Sequence, residues 1–223
     1  MKLFVYCAGD FGREVCDSVR RLNNLEFRWD EISFIDDDEG LGTEFYGTKL
    51  LSFRELLRSY DLSAFEVLVA NGEPAIRKAI YNKLKSNNVR LATLVDATAI
   101  VSDTASLGKG VILTPYCSVS SEAIIGDNVA VNTKAIIGHD VKVGNHSVVS
   151  SMVNIGGACS IGEDSYIGMG AQIKEGGIMI GKEVIVGMGS VVYDDIPDGM
   201  IALGNPARPM RRNVDKKVFR NSK

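Results

Sequence analysis

From Val95 onward an aliphatic residue recurs at every sixth position, through Val101, Leu107, Leu113, Val119 and Ile125, and without a gap to Ile173. The period slips by one residue at Glu175-Gly176-Gly177 and resumes at Ile180, Val186 and Val192. Four residues after each aliphatic position stands a small or slim side chain, among them Ala99, Cys117, Ala135, Ser147 and Ala171. A helix would space its apolar residues by three and four, and a sandwich strand would alternate by two. A sustained period of six fits neither and predicts a left-handed parallel β-helix, three hexads to each triangular coil. Seventeen aliphatic positions give between five and six coils.

In this register the aliphatic and small positions point into the prism, and the second and third residues after each aliphatic one point outward. Any chemistry must come from those outward positions. Glycine follows many of the aliphatic residues (Gly108, Gly126, Gly138, Gly144, Gly156, Gly162, Gly168), which predicts that the chain bends there at little steric cost.

Ahead of the repeat the pattern changes. Lys2 to Cys7 reads as a buried strand, Ala8-Gly9-Asp10-Phe11-Gly12 as a tight turn, and Arg13 to Leu22 as a helix with Val15, Val19 and Leu22 on one face. A second strand, Glu31 to Ile35, runs into Asp36-Asp37-Asp38, and a third, Val67 to Ala70, ends at Asn71-Gly72 before a helix from Pro74 to Lys85. The alternation predicts an α/β Rossmann-like domain over residues 1–94, followed by the all-β β-helix domain and a C-terminal tail over 95–223.

In parallel sheets ligands lie beyond the carboxyl ends of the strands, an edge suited here to a nucleotide. It gathers Gly9, Asp10, Phe11, Gly12 and Arg13 with Asp36 and Asp37, and with Asn71 and Arg77. Only Gly9 and Gly12 remain of a GxGxxG, with Cys7 where the first glycine would stand, so the turn reads equally as a plain connection. Asp36 suits a ribose or a base edge and equally suits a solvated turn. Arg77 and Lys78, near a helix start, either meet phosphate or decorate a solvent face.

A chain of 223 residues with 45% hydrophobic content can bury two cores. Its net charge of −3 offers no general attraction to nucleic acid or to an anionic membrane, which leaves a small molecule as the expected partner. No window approaches the roughly 18 apolar residues of a membrane span, and the opening MKLFVYCAGD turns polar too soon for a signal peptide, so a cytoplasmic protein is expected. Four cysteines without CxxC spacing read as reduced, buried thiols, and no metal is expected.

The whole chain resembles the bacterial nucleotide-sugar acetyltransferases with an N-terminal sugar-nucleotide domain, which include UDP-4-amino-sugar N-acetyltransferases and sialic acid O-acetyltransferases. The likeness is carried by CAGDFGREV, FIDDD, NGEPAIRKAIYNKL and IIGHDVKVG, and most specifically by the stretch from IGMGAQIKEGG to GNPARPMRR. It implies transfer from acetyl-CoA to the amino group of a UDP- or dTDP-linked amino sugar by direct attack. His139 would be the general base and Asp140 its orienter. The residues agree: His139 follows Ile137-Gly138 on the outward side of a coil, and an imidazole suits removal of a proton from an attacking amine. His146 is the rival base, but the family histidine that contacts acetyl-CoA falls at Val148, so His146 reads as a surface or substrate-side group.

The resemblance also places acetyl-CoA against Asn132, Ser150, Gly157, Met169 and Met188, in a groove between β-helices of a homotrimer. Arg208 and the basic residues after it (Arg211, Arg212, Lys216, Lys217, Arg220) either face the coenzyme's phosphates or are solvated. Two departures bear on the substrate. Phe11 stands where the family turn carries a histidine, and Asp96-Ala97 replaces a His-Pro pair, so Asp10 and Phe11 are expected to read a different sugar or base. An acyl-enzyme is disfavoured because Cys117 and Cys159 point inward. The alternatives are O-acetylation of a sugar such as sialic acid, nucleotide-sugar binding without catalysis, and an NAD-dependent oxidoreductase, for which the first domain is too short.

Overall fold

In the computed structural model, which describes residues 1–219, each hexad is a two-residue strand followed by a four-residue turn. Seventeen such strands, from Leu94–Val95 to Val191–Val192, stack into three parallel sheets that form the faces of a left-handed β-helix. Pairing joins hexads one coil apart, as where Ile136 sits between Ser118 and Asn154. The aliphatic and small positions fill the prism, with Leu113, Cys117, Ile137, Val141 and Cys159 all at 0% exposure.

From Gly110 to Gly189 the third residue after the aliphatic one is left-handed. Tyr116, Glu122, Asn128, Lys134, Asp140 and His146 take φ between 56° and 63°. A non-glycine residue there costs on the order of 1 kcal/mol. The offset is an N–H bond to the preceding coil: Asp140 N donates to Ser121 O at 3.0 Å and His146 N to Asp127 O at 2.9 Å, while Tyr116 N and Glu122 N donate to the hydroxyls of Thr98 and Thr104.

The glycines after the aliphatic residues stand where each strand gives way to a turn, but the left-handed residue is not among them. They are small because the next coil passes directly over them: a Cβ on Gly168 would stand 2.7 Å from both Met188 N and Val186 O. Where glycine follows the aliphatic residue it serves close approach, and the left-handed turn falls two residues later.

The first domain is a five-stranded sheet in the order β3-β4-β2-β1-β5. Its elements are β1 (Lys2–Tyr6), α1 (Asp10–Glu26), β2 (Glu31–Ile35), β3 (Glu44–Phe45), β4 (Thr48–Leu51), α2 (Phe53–Ser59), β5 (Phe65–Val69) and α3 (Pro74–Ser86). β3, β4 and α2 escape the sequence reading because they are short; α2 is seven residues held by a capping box between Ser52 and Glu55. β1 lies between β2 and β5, so the chain reverses direction across the sheet at the carboxyl end of β1.

One prism face carries this domain. Its outward strand residues Leu94, Ile112, Ala130 and Val148 are at most 1% exposed and share a core with Val15 and Val19 of α1 and Leu3 and Val5 of β1. Equivalent positions on the other two faces stay open, with Ile100, Ile124 and Ile136 exposed.

A polar seam fixes α3 against the corner that enters the docking face. Arg77, expected near phosphate or solvent, is instead 0% exposed. Its guanidinium donates to Val69 O (2.6 Å), Asn71 O (3.0 Å), Asn128 O (2.7 and 2.9 Å) and Asn128 Oδ1 (3.0 Å). Burial pushes its pKa down to about 9, which leaves it charged at neutral pH. Lys78 pairs with Asp164 at 2.6 Å. His146, expected at the surface, is buried: Nδ1 meets Asn128 Nδ2 at 3.0 Å and its ring lies edge-on to Tyr81 at 4.8 Å. Asp96, at the substituted His-Pro pair, accepts from Arg21 at 2.9 Å and from Thr98 N at 3.0 Å, tying α1 to the first coil.

Two outcomes follow. Gly168→Ala has no flexible neighbour to displace and is expected to cost about 1–3 kcal/mol, read as a lowered unfolding midpoint. Burial lowers the His146 pKa from its ordinary 6.5, so the folded state holds the ring neutral. The stability this contributes is complete above that ordinary value and is lost as pH falls through the lower folded value. Calorimetry is expected to show Tm falling below about pH 6.5, and His146→Gln is expected to flatten that fall.

Candidate active site

The corner between the two open faces carries His139 and Asp140, opposite the face that bears the first domain. Both side chains are well exposed, at 65% and 60%. The left-handed backbone of Asp140 turns its carboxylate back on the preceding imidazole, and Oδ2 stands 2.7 Å from His139 Nδ1. A carboxylate only accepts, so Nδ1 carries the proton and Nε2 is left with its lone pair. Asp140 thus reaches its partner despite being a methylene shorter than glutamate. The main chain is held too, because His139 O accepts from Ala158 N at 2.8 Å.

Gly157, one coil on, lies under the ring. A Cβ there would overlap His139 Nε2, Cε1 and Cδ2. Its lack of a side chain makes room for the imidazole, a role distinct from the close approach of a coenzyme that the sequence reading gave it. Beside this corner runs an open groove of about 800 Å³, lined among others by Ile136, Asn154, Gly157, Gln172, Glu175 and Tyr193.

The other positions expected to meet acetyl-CoA form a second column. Asn132, Ser150, Met169 and Met188 stand on the corner where the docking face turns into the groove face. Met169 and Met188 are exposed. Among the described residues, Asn132 Oδ1 is a buried acceptor with no hydrogen-bond partner. Ser150 Oγ accepts from Tyr166 at 3.4 Å. Arg208 is exposed and pairs with Asp194 at 3.3 Å. Arg220 lies outside the described residues.

Beyond the carboxyl end of β1 is a cleft of about 740 Å³. It brings together Gly9, Asp36, Asp37 and Asn71 from the expected edge, and adds Tyr6 and Lys83. Cys7, in the place of the first fingerprint glycine, takes a glycine-like φ of 86°. Burial pushes its thiol up to about 11. Gly12 packs under Cys7 O, leaving no space for a Cβ. Asp36 holds the turn, accepting from Ala8 N at 2.8 Å and Asp38 N at 3.0 Å. Asp37 accepts from Tyr6 OH and Lys83 Nζ, both at 2.5 Å; burial works against its charge, but these bonds outweigh it and lower its pKa. Asp10 pairs with Arg13 in solvent, and Phe11 packs onto the α1 core, so these three do not line the cleft. Lys83 was legible in principle: Ile76, Ile80 and Lys83 share the α3 face below Asn71.

The buried thiols Cys117 and Cys159 are fully enclosed. Burial raises both, Cys117 to about 12, which leaves no reactive thiolate. Among the described residues, no cluster of His, Cys, Asp or Glu is arranged to hold a metal ion, and no helix is long and apolar enough to cross a membrane.

Residues 2–84 match the PglD N-terminal domain family. The acetyltransferase domain of PglB from Neisseria gonorrhoeae superposes with a TM-score of 0.87 at 32% identity, over 94% of this chain and 99% of that one. The chain belongs to the hexapeptide-repeat nucleotide-sugar acetyltransferases. It is an acyltransferase. PerB from Caulobacter crescentus, solved with CoA and GDP-perosamine, has a TM-score of 0.85 at 25% identity over 95% of this chain and 98% of that one. GDP-perosamine N-acetyltransferase of Escherichia coli O157:H7 is 29% identical over 216 residues, 94% of this chain and 96% of that protein.

Gly157→Ala is expected to drive the His139 ring from its position and lower acetyl transfer by on the order of 10²-fold, with the circular dichroism spectrum unchanged.

Proposed function

We propose that the protein transfers the acetyl group of acetyl-CoA to the amino group of a nucleotide-linked amino sugar, with His139 as general base. The observation that carries this is the setting of His139: Asp140 bonds to Nδ1 and Gly157 clears space for the ring, so an exposed imidazole keeps Nε2 available beside an open groove. His139 takes the proton as the amine nitrogen bonds to the thioester carbon. The carbon–sulfur bond then breaks and the thiolate leaves, protonated in turn from the imidazolium. Asp140 stabilises that imidazolium.

The pantetheine arm fits the groove that rises from His139, and the unmet acceptor of Asn132 suits an N–H donor from a bound molecule. Asn132 and His139 stand on opposite edges of one face, and the chain's own nucleotide cleft belongs to the domain docked away from His139. Both facts favour a site completed by a neighbouring copy, as in a closed homotrimer, with the exposed Ile100 and Ile136 on the face between the two columns. The cleft with Asp36, Asp37 and Asn71 suits the nucleotide. The sequence reading favours UDP or dTDP, and the GDP-perosamine of the two relatives adds GDP as a third carrier.

The test offers acetyl-CoA with UDP-, dTDP- and GDP-linked amino sugars and follows thiol release. One amino sugar is expected to react. Acetylation of free sialic acid with none of the amino sugars consumed would overturn the reading. His139→Ala is expected to lower turnover by roughly 10²- to 10⁴-fold, and unchanged activity would remove its assignment as base.

A further inference from the structure

Glu73 is a carboxylate that the chemistry above does not use. It is 1% exposed, directly before α3, in the turn Asn71-Gly72-Glu73 that leaves β5. It binds the far end of the chain. Val218 N donates to Oε1 at 2.9 Å and to Oε2 at 3.0 Å, and Phe219 N donates to Oε2 at 3.2 Å. Charge-assisted bonds of this kind are about twice as strong as neutral ones.

Beyond Val192 the chain forms an antiparallel hairpin of Met200–Gly204 and Ala207–Arg212, and the segment 213–219 leaves it and crosses back to the first domain as a strap. Its near end is tied to the upper coils, where Asn213 N donates to Gly199 O at 2.7 Å and Lys216 pairs with Glu183 at 2.6 Å. Its far end is tied at Glu73, and the Phe219 ring sits edge-on to Tyr166 at 5.6 Å. Between the two ends lies a cavity of about 270 Å³, lined by Lys78, Asp164 and Ile185 as well as by the strap. With that span hollow beneath, the end contacts decide whether the strap stays down.

The same turn faces the nucleotide cleft. Glu73 N donates to Asn71 Oδ1 at 2.9 Å, and Asn71 Nδ2 reaches Cys7 Sγ at 3.5 Å, which points the amide along the cleft wall. The Phe219 ring lies over Gly72, 3.6 Å from where a Cβ would be. The side chain of Glu73 therefore holds Val218 and Phe219 while its main chain holds the residue that lines the cleft.

We infer that Glu73 is a positioning residue: through its grip on the backbone of Val218 and Phe219, the C-terminal strap braces the Asn71 turn and so sets affinity for the nucleotide portion of the substrate. This rests on the proposed nucleotide-sugar reading, but the bracing itself does not.

The test uses the full chain with Glu73→Ala, which removes the acceptor, Val218→Pro, which removes the donor from the other side, and the double variant. Hydrogen exchange at the amides of Gly72, Glu73 and Ala75 is read by mass spectrometry, and binding of UDP, dTDP, GDP and CoA by calorimetry. Each single variant is expected to speed exchange and to weaken the nucleotide that the wild type binds by on the order of ten-fold, leaving CoA affinity unchanged. The double variant is expected to be no worse than either single one, because both break the same contact. Glu73→Gln, which keeps one acceptor oxygen, is expected to recover part of the affinity. Additive losses, or exchange and affinity both unaltered, would overturn the inference. Failure of the wild type to bind any nucleotide would count against the proposed function, and the exchange data would still decide the bracing.

Discussion

The backbone ladder between coils is the constraint on which the rest of this molecule depends. From Gly110 to Gly189 each turn holds a left-handed residue whose N–H bonds to the coil before it, as at Asp140 and His146, and that bond offsets the conformational cost. Because that bond fixes the turn, it also fixes the direction of every outward side chain. The His139–Asp140 pair follows from this: a carboxylate on a left-handed residue folds back over its neighbour. The Asn128 turn, with the same backbone, offers its carbonyl and side chain to Arg77.

Docking obeys the same register. The position just before the aliphatic residue points outward, and on one face it is Leu94, Ile112, Ala130 and Val148. Four apolar residues one coil apart give α1 a flat wall, and the fully buried Arg77 closes the seam by using neutral carbonyls in place of an acid partner. A charge so buried is expensive unless all its donors are met.

Much of this was legible in the chain. A period of six survives translation into structure because each coil repeats one local solution, and the slip at Glu175-Gly176-Gly177 remains a slip, with Gly176 and Gly177 at φ of 106° and 85°. The outward setting of His139 and Asp140 followed from the register. What was not legible depends on contacts between distant segments. The sequence pattern places Arg77 and His146 among polar residues, and only the meeting of α3 with a prism corner buries them. Short elements such as α2 have too few residues for a period to show. Gly157 was singled out, but its reason, an imidazole one coil away, lies 18 residues off in the chain, beyond the reach of any local motif.

Across that separation the two positions are coupled by space alone. Gly157 has no left-handed backbone to justify its being glycine; what justifies it is the ring beside it. With the imidazole where it stands, any side chain at position 157 has to displace it. The repeat thus carries a dependence that its own period does not express: position 157 answers to a side chain three hexads back.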